Sequence, residues 1–164
     1  MRGGDMKRTV YLNRLFCCTF VSALLVSALP VEGEAQAPAS QEEQPLVVNF
    51  EDADWGEPGF AEGFPQGVQT ARLGIDPENG GPTYFARFPA GSHFDLHWHT
   101  HAEYVVVVSG EVTIVLGEQS HALAPGSYIV IPARMNHSWD VPGEDDSVIL
   151  VRRRGPADFN FVGR

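Results

Sequence analysis

Between Gly91 and Gly110 the chain reads GSHFDLHWHTHAEYVVVVSG, and four of its six histidines, His93, His97, His99 and His101, fall in that stretch. Glu103 follows, and then four consecutive valines, Val105 to Val108. His97, His99, His101 and Glu103 alternate with other residues. On an extended strand alternate side chains share a face, so the spacing predicts imidazoles and a carboxylate converging on one small volume. Neutral nitrogen donors with an anionic oxygen, carried on stiff backbone, are what hold a transition-metal ion. His101 has the parity of His99 and Glu103 and stands as a candidate catalytic acid/base, a competing ligand or a rim residue. Asp95, of like parity, is placed to accept a hydrogen bond from a ligand imidazole, or is a solvated loop aspartate. His93 and His121 fall off the pattern and read as surface residues.

The elements that would position this stretch are short strands. Leu46 to Phe50, Val68 to Leu73, Tyr84 to Phe88, His121 to Ala124, Ser127 to Ile131, His137 to Val141, Ser147 to Arg153 and Asp158 to Val162 all read as strands, separated by Gly- and Pro-rich turns. Glu103 to Val108 and Glu111 to Leu116 read as a hairpin across Ser109-Gly110. Glu51 to Gln66, with Trp55, reads as a loop anchored by aromatics, an arm packed on the barrel. After residue 38 no segment has helical periodicity. Strands every eight to twelve residues predict an all-β jelly-roll barrel or sandwich.

The N-terminus has a different character. Lys7, Arg8 and Arg14 precede an apolar run of 15 residues, Leu15 to Leu29, and then small residues, GEAQAPAS. This is the layout of a secretory signal peptide, with cleavage near Ala35. The expected organisation is a removed signal over 1–36, a polar tether over 37–45 and one domain over 46–164. The destination is the periplasm or the exterior. Both cysteines, Cys17 and Cys18, lie in the signal, so the mature domain has neither disulfide nor thiolate ligand. From residue 38 onward seven arginines and no lysine stand against eighteen carboxylates. That balance argues against nucleic acid and anionic membrane surfaces as partners.

The spacings carry a resemblance. Gly91, five residues, His97-Trp98-His99, three residues, Glu103, six residues and Gly110 match every fixed position of the first motif of the cupin superfamily. Gly126, Pro132 and His137 match the second motif, while Arg134 stands where glycine is expected and Val141 where asparagine is expected. The region that resembles a cupin runs from Tyr84 to Val151. The resemblance implies a single cupin jelly-roll, also called a double-stranded β-helix, and a homodimer. It implies His97, His99, Glu103 and His137 as metal ligands. Three imidazoles and a carboxylate sum to one negative charge. A divalent ion leaves about one positive charge and, in an octahedral ion, two places for water, O₂ or a bidentate anionic substrate. The set suits Fe(II), Mn(II), Ni(II), Cu(II) and Zn(II).

Around that set, Val105, Val107, Ile129 and Ile131 are expected to line or back the cavity. Trp98 and Trp139 read as core or interface aromatics. One of Tyr84, Phe88 and Arg87 is expected to face the pocket. Arg152 to Arg154 is a basic run that pairs with acidic loops or marks a subunit contact. Three functions fit: a metal-dependent enzyme of dioxygenase type acting on a small organic molecule, a non-catalytic module that binds metal and ligand, and an interaction protein with a structural metal. The superfamily spans too many chemistries to name a substrate.

Overall fold

The computed structural model describes residues 45–163. The expected signal, 1–36, and all but the last residue of the expected tether, 37–45, lie outside the described residues. Ten strands form two five-stranded antiparallel sheets. In the first, the spatial order is β1 (Gln69–Ile75), β2 (Pro82–Phe88), β9 (Ser147–Arg153), β4 (Glu103–Ser109), β7 (Tyr128–Ile131). In the second it is β10 (Asn160–Phe161), β3 (His93–Trp98), β8 (His137–Asp140), β5 (Val112–Leu116), β6 (Gln119–Leu123). This is the expected all-β jelly-roll.

The two sheets share one core. Along β4, Glu103, Val105 and Val107 are buried in alternation with half-buried neighbours. Along β9, Ser147, Ile149, Val151 and Arg153 share the inward face. Ile129 and Ile131 from β7, and Phe94, Ile114 and Trp139 from the facing sheet, complete the packing. Each such aliphatic side chain stabilises the fold by about 1.5–3 kcal/mol. The outer face of the first sheet is covered too. Ala71, Phe85 and Val148 there lie under Phe50, Ala53 and Trp55. The Phe50 and Phe85 rings meet edge-on at 5.3 Å, and the Arg87 guanidinium sits 4.1 Å over the Trp55 ring. The aromatic arm is therefore real, and it occupies Arg87 on the side away from the core.

Three expectations about local structure are corrected. Leu46 to Phe50 is not a strand: Phe50–Asp52 is a single 3-10 turn, and Leu46 and Val47 are 64 % and 88 % exposed and belong to no strand. The histidine stretch is not one strand either. It leaves β3 after Trp98, turns, and re-enters the opposite sheet at Glu103. The Asp158 carboxylate holds that turn, accepting from the Thr100 backbone N–H at 3.0 Å and from its hydroxyl at 2.6 Å. Finally, β4 and β5 are not a hairpin. They belong to different sheets, and Ser109-Gly110 is the corner between them. Gly110 has φ +71°, and a Cβ there would collide with the Asp146 carbonyl oxygen. Glycine serves a sheet-to-sheet crossing at this position, and composition alone cannot tell that from a hairpin turn.

Candidate metal centre

Two cross-strand pairs face each other across the barrel. His97 on β3 is opposite His137 on β8 in one sheet. Glu103 on β4 is opposite Arg153 on β9 in the other. Cross-strand partners present neighbouring side chains on one face, and the His97 and His137 ring centroids are 4.2 Å apart. His99, at the start of the turn, swings its ring to within 4.9 Å of the His97 ring. The alternation of histidines thus works through a strand end and a turn rather than along one strand.

Each imidazole is oriented by backbone. Nδ1 of His97 donates to the Asp95 carbonyl at 2.6 Å, Nδ1 of His137 to the Met135 carbonyl at 3.0 Å, and Nδ1 of His99 to the Asp158 carbonyl at 2.6 Å. A carbonyl can only accept, so in each ring the proton is on Nδ1 and the Nε2 lone pair faces inward. The three inward nitrogens lie within 4.8 Å of one another. Nε2 of His97 and of His137 are fully buried with no hydrogen-bond partner. His99 Nε2 is 3.1 Å from Glu103 Oε2, two acceptors facing each other unless a cation lies between them. Glu103 Oε2 is also 4.0 Å from His137 Nε2. Orphaned buried lone pairs are costly, and a divalent ion would satisfy all of them together, so the residues fit a metal.

The protonation states agree. Burial, and then the neighbouring His137, push the His97 imidazole down to about 3. Burial likewise lowers His137. Burial alone would raise the Glu103 carboxyl, but the His99 contact and the Arg153 charge outweigh it and bring it down to about 2. His97, His137 and Glu103 are thus already in the forms that ligate, and little proton release from them opposes binding.

Arg153 is the residue that the sequence reading treated only as part of a basic run. It is 2 % exposed. Its Nη2 is 3.5 Å from Glu103 Oε1 and 3.4 Å from His99 Nε2, and Nη2 and Nε donate to the Tyr84 hydroxyl at 3.2 and 3.3 Å. The run splits three ways, for Arg152 pairs with Asp76 at 3.2 Å and Arg154 donates to the Tyr104 hydroxyl at 3.0 Å. The alternation of β9 carried the signal: Ile149 and Val151 are inward, so Arg153 must be inward too.

Other candidates fall differently. His101 does not reach the cavity. Its ring packs on Gly155, so closely that a Cβ there would collide with it. The correction follows from the chain leaving the strand after Trp98, which ends the parity that placed His101 beside Glu103. Asp95 serves His97 through its backbone carbonyl rather than its carboxylate. His93 is exposed and pairs with Asp140 at 2.7 Å. Trp98 lies under the Arg134 guanidinium at 5.3 Å, whereas Trp139 is core and also lines the cavity. Val105, Val107, Ile129 and Ile131 are buried behind the site. Arg134 holds the φ of +62° that glycine would take, and its N–H donates to the His99 carbonyl at 2.8 Å.

A cavity of about 400 Å³ opens from this centre. His97, His99, Glu103, Tyr84 and Arg153 form its polar end, and Phe64, Phe88, Phe94, Phe159 and Trp139 form apolar walls. Glu57, Thr70 and Arg72 line its exposed part. Among the described residues no helix is long and apolar enough to cross a membrane.

Residues 84–151 match the family model described as a cupin domain. The fold is similar to a cupin 2 conserved barrel domain protein from Rhodopseudomonas palustris, with a TM-score of 0.57 and 19 % identity over 66 % of this chain and 77 % of that one. It is similar to a cupin-2 domain from Rhodospirillum rubrum, with a TM-score of 0.58 and 19 % identity over 70 % and 78 % of the two chains. It is also similar to the polyketide cyclase RemF from Streptomyces resistomycificus, with a TM-score of 0.57 and 18 % identity over 74 % and 87 %. At these identities the likeness concerns the fold. No curated protein matches the sequence.

Proposed function

We propose that this chain, which belongs to the cupin superfamily, is an exported protein that holds one divalent transition metal on His97, His99, His137 and Glu103 and binds a small organic molecule beside it. The observation that carries this reading is the convergence of three Nε2 lone pairs, two of them buried without a partner, from rings whose Nδ1 atoms are tied to backbone carbonyls. When bound, the metal would supply Lewis-acid or redox chemistry at that point. The chain's own residues do the rest. Glu103 and Arg153 set the local charge, Tyr84 offers a hydroxyl, and the phenylalanine walls exclude water. The reaction class we assign is an oxidoreductase of dioxygenase type. Export is argued from the basic and apolar composition of residues 7–35. A homodimer is the expected assembly.

The test is metal content by plasma mass spectrometry on the domain from residue 43 onward, purified without a histidine tag, with His97→Ala and His137→Ala beside it. About one metal per chain, lost in both variants, is the expected result. An empty wild type after reconstitution with iron, copper and zinc refutes the reading. Mature-terminus mass spectrometry of the full chain made in a Gram-negative host tests export.

A second reading has its own observation. His101, the candidate acid/base, packs on Gly155 outside the cavity. With no histidine outside the three inward rings lining the cavity among the described residues, the site also suits a binding or sensing module. Absence of turnover by the metal-loaded protein under O₂, across a panel of small aromatic and aliphatic acids that bind it, would decide for that reading.

A further inference from the structure

The polar end of the cavity keeps a positive charge once a divalent ion is bound, because Arg153 offsets the Glu103 carboxylate. The three imidazoles donate through Nδ1 to backbone carbonyls; Nε2 of His97 and of His137 has no partner, and Nε2 of His99 faces the Arg153 Nη2 donor at 3.4 Å. The Glu103 carboxylate is matched by the Arg153 guanidinium at 3.5 Å, both nearly removed from solvent. Farther out, Glu57 and Arg72 cancel. The Asp158 carboxylate, which acts on both His99 and Arg153, brings the protein's own contribution to minus one, and a divalent ion still leaves about one positive charge among phenylalanine, tryptophan and valine side chains. An apolar cavity does not tolerate an uncompensated charge of that size.

The donors at the same end are weakly committed, with Arg153 Nη1 reaching the Asp158 carbonyl at 3.4 Å. Arg153 Nη2 spreads over Glu103, His99 and Tyr84 at 3.5, 3.4 and 3.2 Å. All are longer than the about 2.7–2.9 Å of a committed charge-assisted hydrogen bond. The Tyr84 hydroxyl accepts from Arg153, and among the described residues nothing accepts its own hydrogen. Tyr84 and Arg153 both line the cavity. The Tyr84 hydrogen thus awaits an acceptor, beside a guanidinium held only by long bonds, where positive charge accumulates, and Phe88, Phe94, Phe159 and Trp139 form a surface for a flat apolar body.

We infer that the ligand of this cavity is a small organic anion: a carboxylate on an apolar, preferably aromatic, body. Its oxygens lie between the metal position and the Arg153–Tyr84 pair, and its body lies against the phenylalanine walls. Arg153 and Tyr84 are the residues that select anion over neutral isostere. The inference rests on the metal-centre reading above.

The experiment is calorimetric titration of the zinc-reconstituted domain, its metal content measured on the same sample. The probes are benzoate, phenylacetate and hexanoate, each beside its neutral amide. At least one carboxylate should bind about tenfold or more tighter than its amide, the worth of a hydrogen bond to a charged group. Tyr84→Phe should lower carboxylate affinity several-fold at unchanged metal content. Arg153→Lys, which keeps the charge but not the fork, should shrink the carboxylate-to-amide ratio at unchanged metal content. Full metal occupancy with no carboxylate bound overturns the inference and leaves the metal centre standing. So do equal affinities for acid and amide, or a ratio untouched in both variants. Zinc that does not bind the wild type overturns the metal centre, and this inference with it.

Discussion

Replacing Arg153 by methionine separates two cations that serve one carboxylate. In the metal-free protein Glu103 is 5 % exposed and Arg153 2 % exposed, so solvent screening gives little relief. Methionine keeps most of the volume and removes the charge. Glu103 is then left buried without its guanidinium partner. Breaking a buried pair in this way costs about 3–5 kcal/mol. At about 4 °C per kcal/mol for a domain of this size, that is a fall in melting temperature of about 12–20 °C. With zinc bound, the carboxylate has a second cation against it, and the same substitution should cost about 1–2 kcal/mol less. The assay is urea unfolding of wild type and variant, once with a chelator and once with saturating zinc. The quantity of interest is the difference of differences, which cancels errors common to both proteins. Equal losses in the two states would refute the claim that guanidinium and metal act on the same carboxylate. A loss below about 1 kcal/mol under chelator would show that Glu103 does not depend on Arg153 at all.

Three further outcomes are expected. Arg134→Gly should raise stability by about 1 kcal/mol in urea unfolding, because residue 134 sits at φ +62° where a Cβ is penalised; a loss would mean that the Trp98 stacking outweighs the strain. Gly155→Ala should destabilise by about 1–3 kcal/mol because its Cβ meets the His101 ring, and His101→Ala in the same chain should recover most of that loss in thermal melts; no recovery would mean that the backbone around Gly155, not His101, forbids the methyl. The Asp158 carboxyl sits at about 2 against an ordinary 3.8, since burial, which raises it, is outweighed by the bonds from Thr100 and Asn160. A lowered folded value means its stabilisation is complete above about pH 4 and fades as pH falls through 2. The stability gap between wild type and Asp158→Asn should therefore narrow over that interval, and a gap constant with pH would exclude the carboxylate as the cause.

The convergence of the candidate ligands was legible because the spacing of Gly91, His97, His99, Glu103 and Gly110 encodes a strand, a turn and a return to the facing sheet, even when it is read as one strand. The parity that correctly gathers His97 and Glu103 misplaces His101, because a turn has no period of two. The β9 sequence SVILVRR contained the position of Arg153 in its alternation, but three adjacent arginines mask the pattern with charge. Ser109-Gly110 reads as a hairpin since composition reports that a chain turns, not which sheet it turns into; that depends on Val105 and Ile114 packing against one core from opposite sides. Leu46 and Val47 look like strand residues and have no neighbour to pair with, a fact that belongs to the sheet edge rather than to the segment.

The segment from Gly155 to Phe161 contains no candidate ligand, yet His97, His99 and Arg153 all touch it. Asp158 orients His99 and pins the Thr100 turn, Gly155 seats His101, Phe159 closes a wall, and Phe161 pairs with His97. In chain order all four candidate ligands, His97, His99, Glu103 and His137, precede this segment. Until Asp158 and Phe159 are in place the His99 ring has no carbonyl to donate to and the cavity lacks one of its walls, whereas His97 and His137 are already oriented by Asp95 and Met135. The centre is thus closed by a late segment that supplies none of its candidate ligands, which makes residues 155–161 a place where sequence change could retune the cavity without touching them.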